Sequence, residues 1–258
     1  METDTNNLTK KVKEYTLGLD IDAIGIAGAE NEMFLQAPDK YQPRNVLENA
    51  KSVIVFGKSM PKSIFKLKNH ETQLIHRAYH SIYKFLDIAA VRLCKYLESE
   101  GYYGISIPSY VPLTIKNLQP WGVISLKHAG MIAGLGKIAK NGLLIHPEFG
   151  TLLRLSAVIT DAPLVADEMM EGDICLDCDA CIKNCPKKAL SEDGKFKKIR
   201  CLQNVVKHGV NKFHDIRKPP YLNNIELVTN TMLLEYSIGC VKCLQVCPLN
   251  KKPIRKKN

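Results

Sequence analysis

The sequence predicts an α+β protein, with an α/β region over residues 1–165 followed by a smaller, cysteine-organised module over residues 166–258. Three observations carry this. Apolar runs of strand character alternate with helical periodicity before residue 165. Eight of the nine cysteines fall after that point, seven of them in two regularly spaced runs. A hydrophobic fraction of 45% is enough to build a core in 258 residues.

Residues 8–19 carry an amphipathic period and are expected as the first helix, and Ala23-Ile-Gly-Ile-Ala27 as a buried strand. A polar loop with Pro38 and Pro43 and a short helical turn over 46–50 follow. Ser52-Val-Ile-Val-Phe-Gly57 is a β-branched run bounded by turn formers, the clearest strand signal in the chain. Residues 71–99 keep a helical period throughout. Cys94 lies inside it, flanked by Val91, Leu93 and Leu97, and reads as a small buried hydrophobe. Residues 102–108 are expected to be extended, and an irregular stretch with Pro112 and Pro120 surrounds Trp121. Residues 123–133 read as a helix ending at Gly134-Leu-Gly136. Two strands, 143–145 and 152–160, are separated by the turn His146-Pro-Glu-Phe-Gly150. The junction between the two regions is expected within 163–171.

The first cysteine run, Cys175-Leu-Asp-Cys178-Asp-Ala-Cys181-Ile-Lys-Asn-Cys185-Pro186, is a C-x2-C-x2-C-x3-C-P pattern. Loops this short let three thiolates grip one cubane cluster, and in two-cluster ferredoxins the fourth cysteine ligates the other cluster. The second run, Cys240-Val-Lys-Cys243-Leu-Gln-Val-Cys247-Pro248, repeats the last three cysteines, with Ser237 where the first would stand. Cys201 is the candidate for the missing thiolate. Two [4Fe-4S] clusters are therefore expected in a ferredoxin-like domain. Cys175, Cys178 and Cys181 hold one, with Cys247 crossing over; Cys201, Cys240 and Cys243 hold the other, with Cys185 crossing over. Zinc also binds C-x2-C pairs, but its sites rarely carry a third thiolate three residues on and a Cys-Pro ending, twice over. Disulfides lack the secretory leader that accompanies them.

No apolar run approaches the ~20 residues of a membrane-spanning helix, and the first residues carry neither twin arginines nor an apolar segment. A reducing, cytoplasmic location without membrane contact is the expectation. The formal net charge is +10 with cysteines neutral; two oxidised clusters with their thiolates, at about −2 each, bring the loaded protein to about +6. Lys183, Lys187, Lys188, Lys195, Lys197, Lys198 and Arg200 flank the first run, and Lys251, Lys252, Arg255, Lys256 and Lys257 form a basic tail. Such a surface is either solvated and charge-compensating or a docking face. A docked partner would be an acidic electron donor, such as a reduced ferredoxin or flavodoxin, or an anionic small-molecule substrate. No aromatic-interleaved basic motif argues for nucleic acid.

Ala133-Gly-Leu-Gly-Lys-Ile-Ala-Lys140-Asn141-Gly142-Leu-Leu-Ile145-His-Pro147-Glu-Phe-Gly150, continuing through Arg154-Leu-Ser-Ala-Val-Ile-Thr-Asp161-Ala-Pro-Leu164, closely resembles corrinoid-dependent reductive dehalogenases and epoxyqueuosine reductases. Both families follow this segment with the same two cysteine runs. Gly25-Ile-Ala27, Pro43, Leu47 and Ala50-Lys-Ser-Val-Ile-Val55 are similar as well. The resemblance implies a nitroreductase-like α/β domain holding a base-off corrinoid (cobalamin), with the ferredoxin-like domain passing electrons to its cobalt. No Asp-x-His-x-x-Gly run occurs, which disfavours a histidine-ligated corrinoid.

In that picture Gly134, Gly136, Asn141 and Gly142 suit a close backbone approach to a flat macrocycle. Lys127 and Lys140 would neutralise a leaving anion or a corrinoid side-chain group. The acidic residue that resembles the proton donor of epoxyqueuosine reductases falls, by spacing, at about Gln119 to Pro120 and is absent; the basic residue after it falls near Lys127. Tyr110 is the first choice of neutral proton donor, with Tyr102 and Tyr103 behind it. His146 reads as a satisfied structural histidine. The chain stops soon after the second run, without the helical repeats that help epoxyqueuosine reductases hold tRNA. The expected function is an iron–sulfur oxidoreductase relaying electrons to a bound corrinoid for reduction of a small molecule. A non-catalytic electron carrier or reductive activator, and an epoxyqueuosine reductase-like enzyme acting on tRNA, are the alternatives.

Overall fold

The computed structural model describes residues 2–69, 71–110, 114–116, 119–193, 195–205 and 239–251. Ser237 and the basic tail beyond Lys251 lie outside them. The chain runs through α1 (Glu2–Gly18), β1 (Ala23–Gly28), α2 (Glu32–Leu35), β2 (Ser52–Ser59), α3 (Glu71–Ser99) and β3 (Gly104–Ile107). The hairpin β4 (Thr114–Lys116) and β5 (Gln119–Trp121), α4 (Leu126–Ile132), the short β6 (Lys137–Ile138) and β7 (Leu144–Ile145), and β8 (Leu153–Thr160) follow. Then come α5 (Ala180–Lys183), α6 (Lys198–Val205), a helix Lys242–Val246 and a 3-10 turn Pro248–Lys251.

Four strands form one antiparallel sheet in the order β1-β2-β8-β3. Its centre is the pair β2–β8, in register from Ser52↔Thr160 to Ser59↔Leu153. Alternate residues of these apolar strands enter different cores, because side chains along a strand alternate between faces. Val53, Val55, Ala157 and Ile159 meet Ala129, Ile132 and Leu144 on the α4 side. Ile54, Phe56 and Val158 meet Val12, Leu86, Leu93 and Leu97 from α1 and α3. Phe56 and Ile54 have no exposed surface, and each fully buried side chain of this size contributes about 1.5–3 kcal/mol. Cys94 packs against the second core only partly buried, its thiol pushed up to about 11 chiefly by burial.

Several elements differ from the expectation: α2 lies in the stretch read as a polar loop, the helical turn expected over 46–50 is a 3-10 turn at Pro43–Asn45, and β6 is an addition to it. Helix α1 begins at Glu2, six residues before the amphipathic period, because Glu2-Thr-Asp-Thr-Asn-Asn7 is polar on every side and shows no period. The β4–β5 hairpin occupies the stretch read as irregular; its strands have three residues each, too short for alternation to register. The junction is tied down: Asp167 exchanges backbone N–H and side-chain carboxylate bonds with Ile26 of β1, each 2.8 Å, and its carboxylate meets Lys13 Nζ at 2.5 Å. Among the described residues no helix is long and apolar enough to cross a membrane.

Candidate functional site

Four thiols line one cavity. Cys175, Cys178 and Cys181 of the first run and Cys247 of the second share a pocket of about 380 Å³, open at its mouth, with Ala139, Ile145 and Leu249 as apolar wall. Short turns aim the first three: Asp177 and Asp179 take φ of +51° and +53°, and Asp179 precedes the one-turn helix α5 that carries Cys181. These left-handed turns are held by an ion pair from the α/β region. Lys140 Nζ lies 2.5 Å from Asp177 and 2.7 Å from Asp179, which holds the ammonium above the usual lysine range. Burial pushes the Cys247 thiol up, opposed by the N–H groups of Leu249 and Asn250; the thiols it senses are Cys178 and Cys175, some seventy residues away in sequence.

The other four thiols form a second set. Cys201 is pushed up to about 11 by burial and then by Cys240 and Cys185. Cys243 reaches about 12, again by burial first and then by Cys201 and Cys240, with Cys181 of the first set next, so the two sets are neighbours. The Ala189 N–H donates to Cys185 Sγ at 3.3 Å. Cys185 thus stands with the distant run, as Cys247 stands with the first. Among the described residues no three His, Cys, Asp or Glu groups converge on one ion-sized point. Thiols spread around a cavity wall suit a multi-iron cluster, whose irons each take one of them.

Asn250 locks the cluster module to the sheet, and the sequence reading missed it. It is 4% exposed. Its Nδ2 donates to Leu244 O and to Thr151 Oγ1, both at 2.8 Å, and its Oδ1 accepts from Thr151 N at 2.9 Å. Gly150, at φ +58°, makes the room; a Cβ there would stand 2.2 Å from Asn250 Oδ1. A Cys-Pro-Leu-Asn ending is the only signal in the sequence.

The residues offered to a macrocycle are engaged by the chain itself. A Cβ on Gly134 would meet Glu168 O at 2.5 Å, one on Gly136 would meet Ile145 O at 2.0 Å, and one on Gly142 would meet the Phe196 ring at 2.8 Å. Asn141 is buried and its Oδ1 accepts from Leu143 N. Lys140 serves the loop of the first thiol set. These glycines therefore have a packing reason to be glycine, which sequence alone does not separate from ligand approach.

Tyr110 and Lys127 border α6 from different sides. Tyr110 stacks on Tyr83 with ring centres 5.9 Å apart, is held above the usual phenol range by burial, and senses Cys201. Lys127 Nζ donates to Gly142 O at 2.8 Å and lies over the Phe196 ring. Burial and then Lys198, at the start of α6, lower its pKa to about 8. Tyr102 packs into the α1–α3 core and Tyr103 is exposed, so neither reaches this region. His146 Nδ1 accepts from the N–H groups of Glu148 and Phe149, a structural role.

A family model described as a 4Fe-4S double cluster binding domain matches residues 174–250. Over 96% of its length the chain is 26% identical to the epoxyqueuosine reductase of Staphylococcus aureus, and it spans about two thirds, 66%, of that relative. It is 28% identical to the tetrachloroethene reductive dehalogenase of Sulfurospirillum multivorans over 66% of this chain and 31% of that one. A crystal structure of epoxyqueuosine reductase with an epoxyqueuosine-modified tRNA stem loop shares the fold, with a TM-score of 0.63 and 22% identity over 95% of this chain and 66% of that one. The resemblance read from residues 133–164 and the cysteine runs thus extends along nearly the whole chain. The protein carries a double [4Fe-4S] cluster-binding domain on a mixed α/β body.

Proposed function

We propose that the chain is an iron–sulfur oxidoreductase in which two [4Fe-4S] clusters with exchanged ligands relay single electrons to a substrate held where α6 meets the α/β region. One observation carries this reading: Cys247 lies on the wall of the cavity formed by Cys175, Cys178 and Cys181. Clusters that exchange ligands are neighbours, and neighbours make a short wire. Residues 1–165 act as a nitroreductase-like domain and 166–258 as the ferredoxin-like one. Similarity to epoxyqueuosine reductases over nearly the whole chain supports a tRNA-borne epoxide as the first substrate class. Similarity to a tetrachloroethene reductive dehalogenase supports a small halogenated molecule as the second.

A corrinoid, where bound, supplies a cobalt centre that delivers the cluster electrons to a carbon–oxygen or carbon–halogen bond. Gly134, Gly136, Lys140, Asn141 and Gly142 are the residues that would hold it, and the steps that follow belong to the chain itself. The chain's own residues do the rest. Tyr110, kept neutral, holds a proton beside the second thiol set. Lys127, poised near neutral pH, gives or takes one beside Gly142.

The test is anaerobic reconstitution with iron, sulfide and hydroxocobalamin, followed by metal analysis and assay of an epoxide-bearing anticodon stem loop and of tetrachloroethene. About eight irons per chain and reduction of the stem loop are expected. Halide release instead selects the second substrate class, and eight irons without either reaction leaves an electron carrier. Fewer than about four irons would overturn the relay.

A further inference from the structure

A cation stands beside the second thiol set that the relay as described does not use. Arg154, partly buried, enters β8 just after the Gly150–Thr151 turn and faces α3. Its guanidinium carbon is 5.4 Å from the centre of the Tyr79 ring, it hydrogen-bonds the Tyr83 hydroxyl, and its Nη2 donates to Thr151 O. Its Nε is wholly buried with no acceptor among the described residues. No described carboxylate pairs with it. Asp87, which Tyr83 senses, accepts from Ser109 N instead. Burial holds Tyr79 and Tyr83 above the usual phenol range, hence neutral, and His76 on the same helix is lowered to about 4. The remaining partner is sulfur. Cys243 packs with Tyr79 and Leu152 in the same apolar cluster and is the thiol that Arg154 senses.

We propose that Arg154 is the built-in counter-charge of the second cluster, raising that cluster's reduction potential above that of the first so that electrons run toward α6. The proposal rests on the ligand reading in which Cys185, Cys201, Cys240 and Cys243 hold that cluster. One electron from a mediator takes a cluster with four thiolates from about −2 to about −3. A fixed guanidinium in a poorly polarisable pocket favours the more negative form, so it raises the potential. The first cluster has different surroundings. Two carboxylates, Asp177 and Asp179, sit on its loop against Lys140, and Asp179 also senses Lys183, so the charges there balance and leave no lone cation facing the cluster.

The experiment is a mediator-poised redox titration followed by EPR on the anaerobically reconstituted full chain, with Arg154→Met and Arg154→Lys compared with the parent. Cys201→Ser identifies the second cluster as the signal it loses. Arg154→Met should lower that cluster's electron affinity at least tenfold, 59 mV for a one-electron couple, and leave the other signal in place. Arg154→Lys should stay within that margin of the parent. Unchanged potentials in Arg154→Met with full iron, or a shift of the signal that survives in Cys201→Ser, overturn the proposal. If Arg154→Met loses iron, Arg154→Lys decides: retention of the cluster at the parent potential supports the counter-charge, and loss or a Met-like shift overturns it. A Cys201→Ser protein that keeps both signals removes the ligand reading, and the proposal with it.

Discussion

The two cysteine runs share a spacing, and the two thiol sets drawn from them differ in surroundings. The first lies at the surface: Cys178 is exposed, Leu176 at the pocket rim is 59% exposed, and charged side chains hold the loop. In the second, Cys243 packs with Tyr79, Leu152, Val241 and Leu244, with Arg154 as its nearby charge. One sequence pattern thus makes one thiol set that reaches the surface and another that reaches toward α3. The difference comes from what each set is packed against.

The largest expected effect breaks the joint that both sets share. Gly150→Ala puts a Cβ on a left-handed residue and 2.2 Å from Asn250 Oδ1, and should cost about 3 kcal/mol or more. Denaturant unfolding of the holoprotein should show it, with iron lost from both clusters, because Asn250 also holds Leu244 between Cys243 and Cys247. Loss of iron from one set alone would mean that the joint serves only that set.

An intermediate effect belongs to the inward side. His76 is buried in the stretch of α3 that carries Tyr79 and Tyr83, and burial, then His80 and Arg77, lower its pKa from 6.5 to about 4. Between those values the unfolded chain binds more protons than the folded one. Stability is therefore fully present above pH 6.5 and is lost as pH falls toward 4, by at most about 3 kcal/mol. Thermal midpoints of His76→Gln against the parent should diverge across this window, with the variant flatter; parallel curves would remove His76 as the cause.

The smallest effect belongs to the outward side. Lys140→Met should leave the fold and the second cluster intact while the first loses iron faster in air, followed by absorbance and iron release. Equal loss from both clusters would place Lys140 outside the first loop's support.

Legibility in the sequence follows the same divide. The cysteine spacing marked the double-cluster domain because cluster chemistry fixes the intervals, and Ser52-Val-Ile-Val-Phe-Gly57 gave the central strand because both its faces are buried. Gly134, Gly136 and Gly142 were ambiguous in the sequence, since a glycine made necessary by a neighbouring carbonyl or Phe196 looks the same as one cleared for a ligand. Arg154 carried no local signal, and Asn250 only its place in a Cys-Pro-Leu-Asn ending. Each acquires meaning from residues brought to it by the fold, Tyr79 and Cys243 for one and Thr151 and Leu244 for the other.

Ligand exchange between the two clusters is the central claim, and EPR of four serine variants tests it most directly. Cys178→Ser and Cys201→Ser each remove a ligand whose cluster is set by its own surroundings, and so provide reference spectra for a chain lacking the first or the second cluster. The account predicts that Cys247→Ser gives the Cys178→Ser spectrum and Cys185→Ser gives the Cys201→Ser spectrum. The reverse pairing, each variant losing the cluster of its own run, would contradict it.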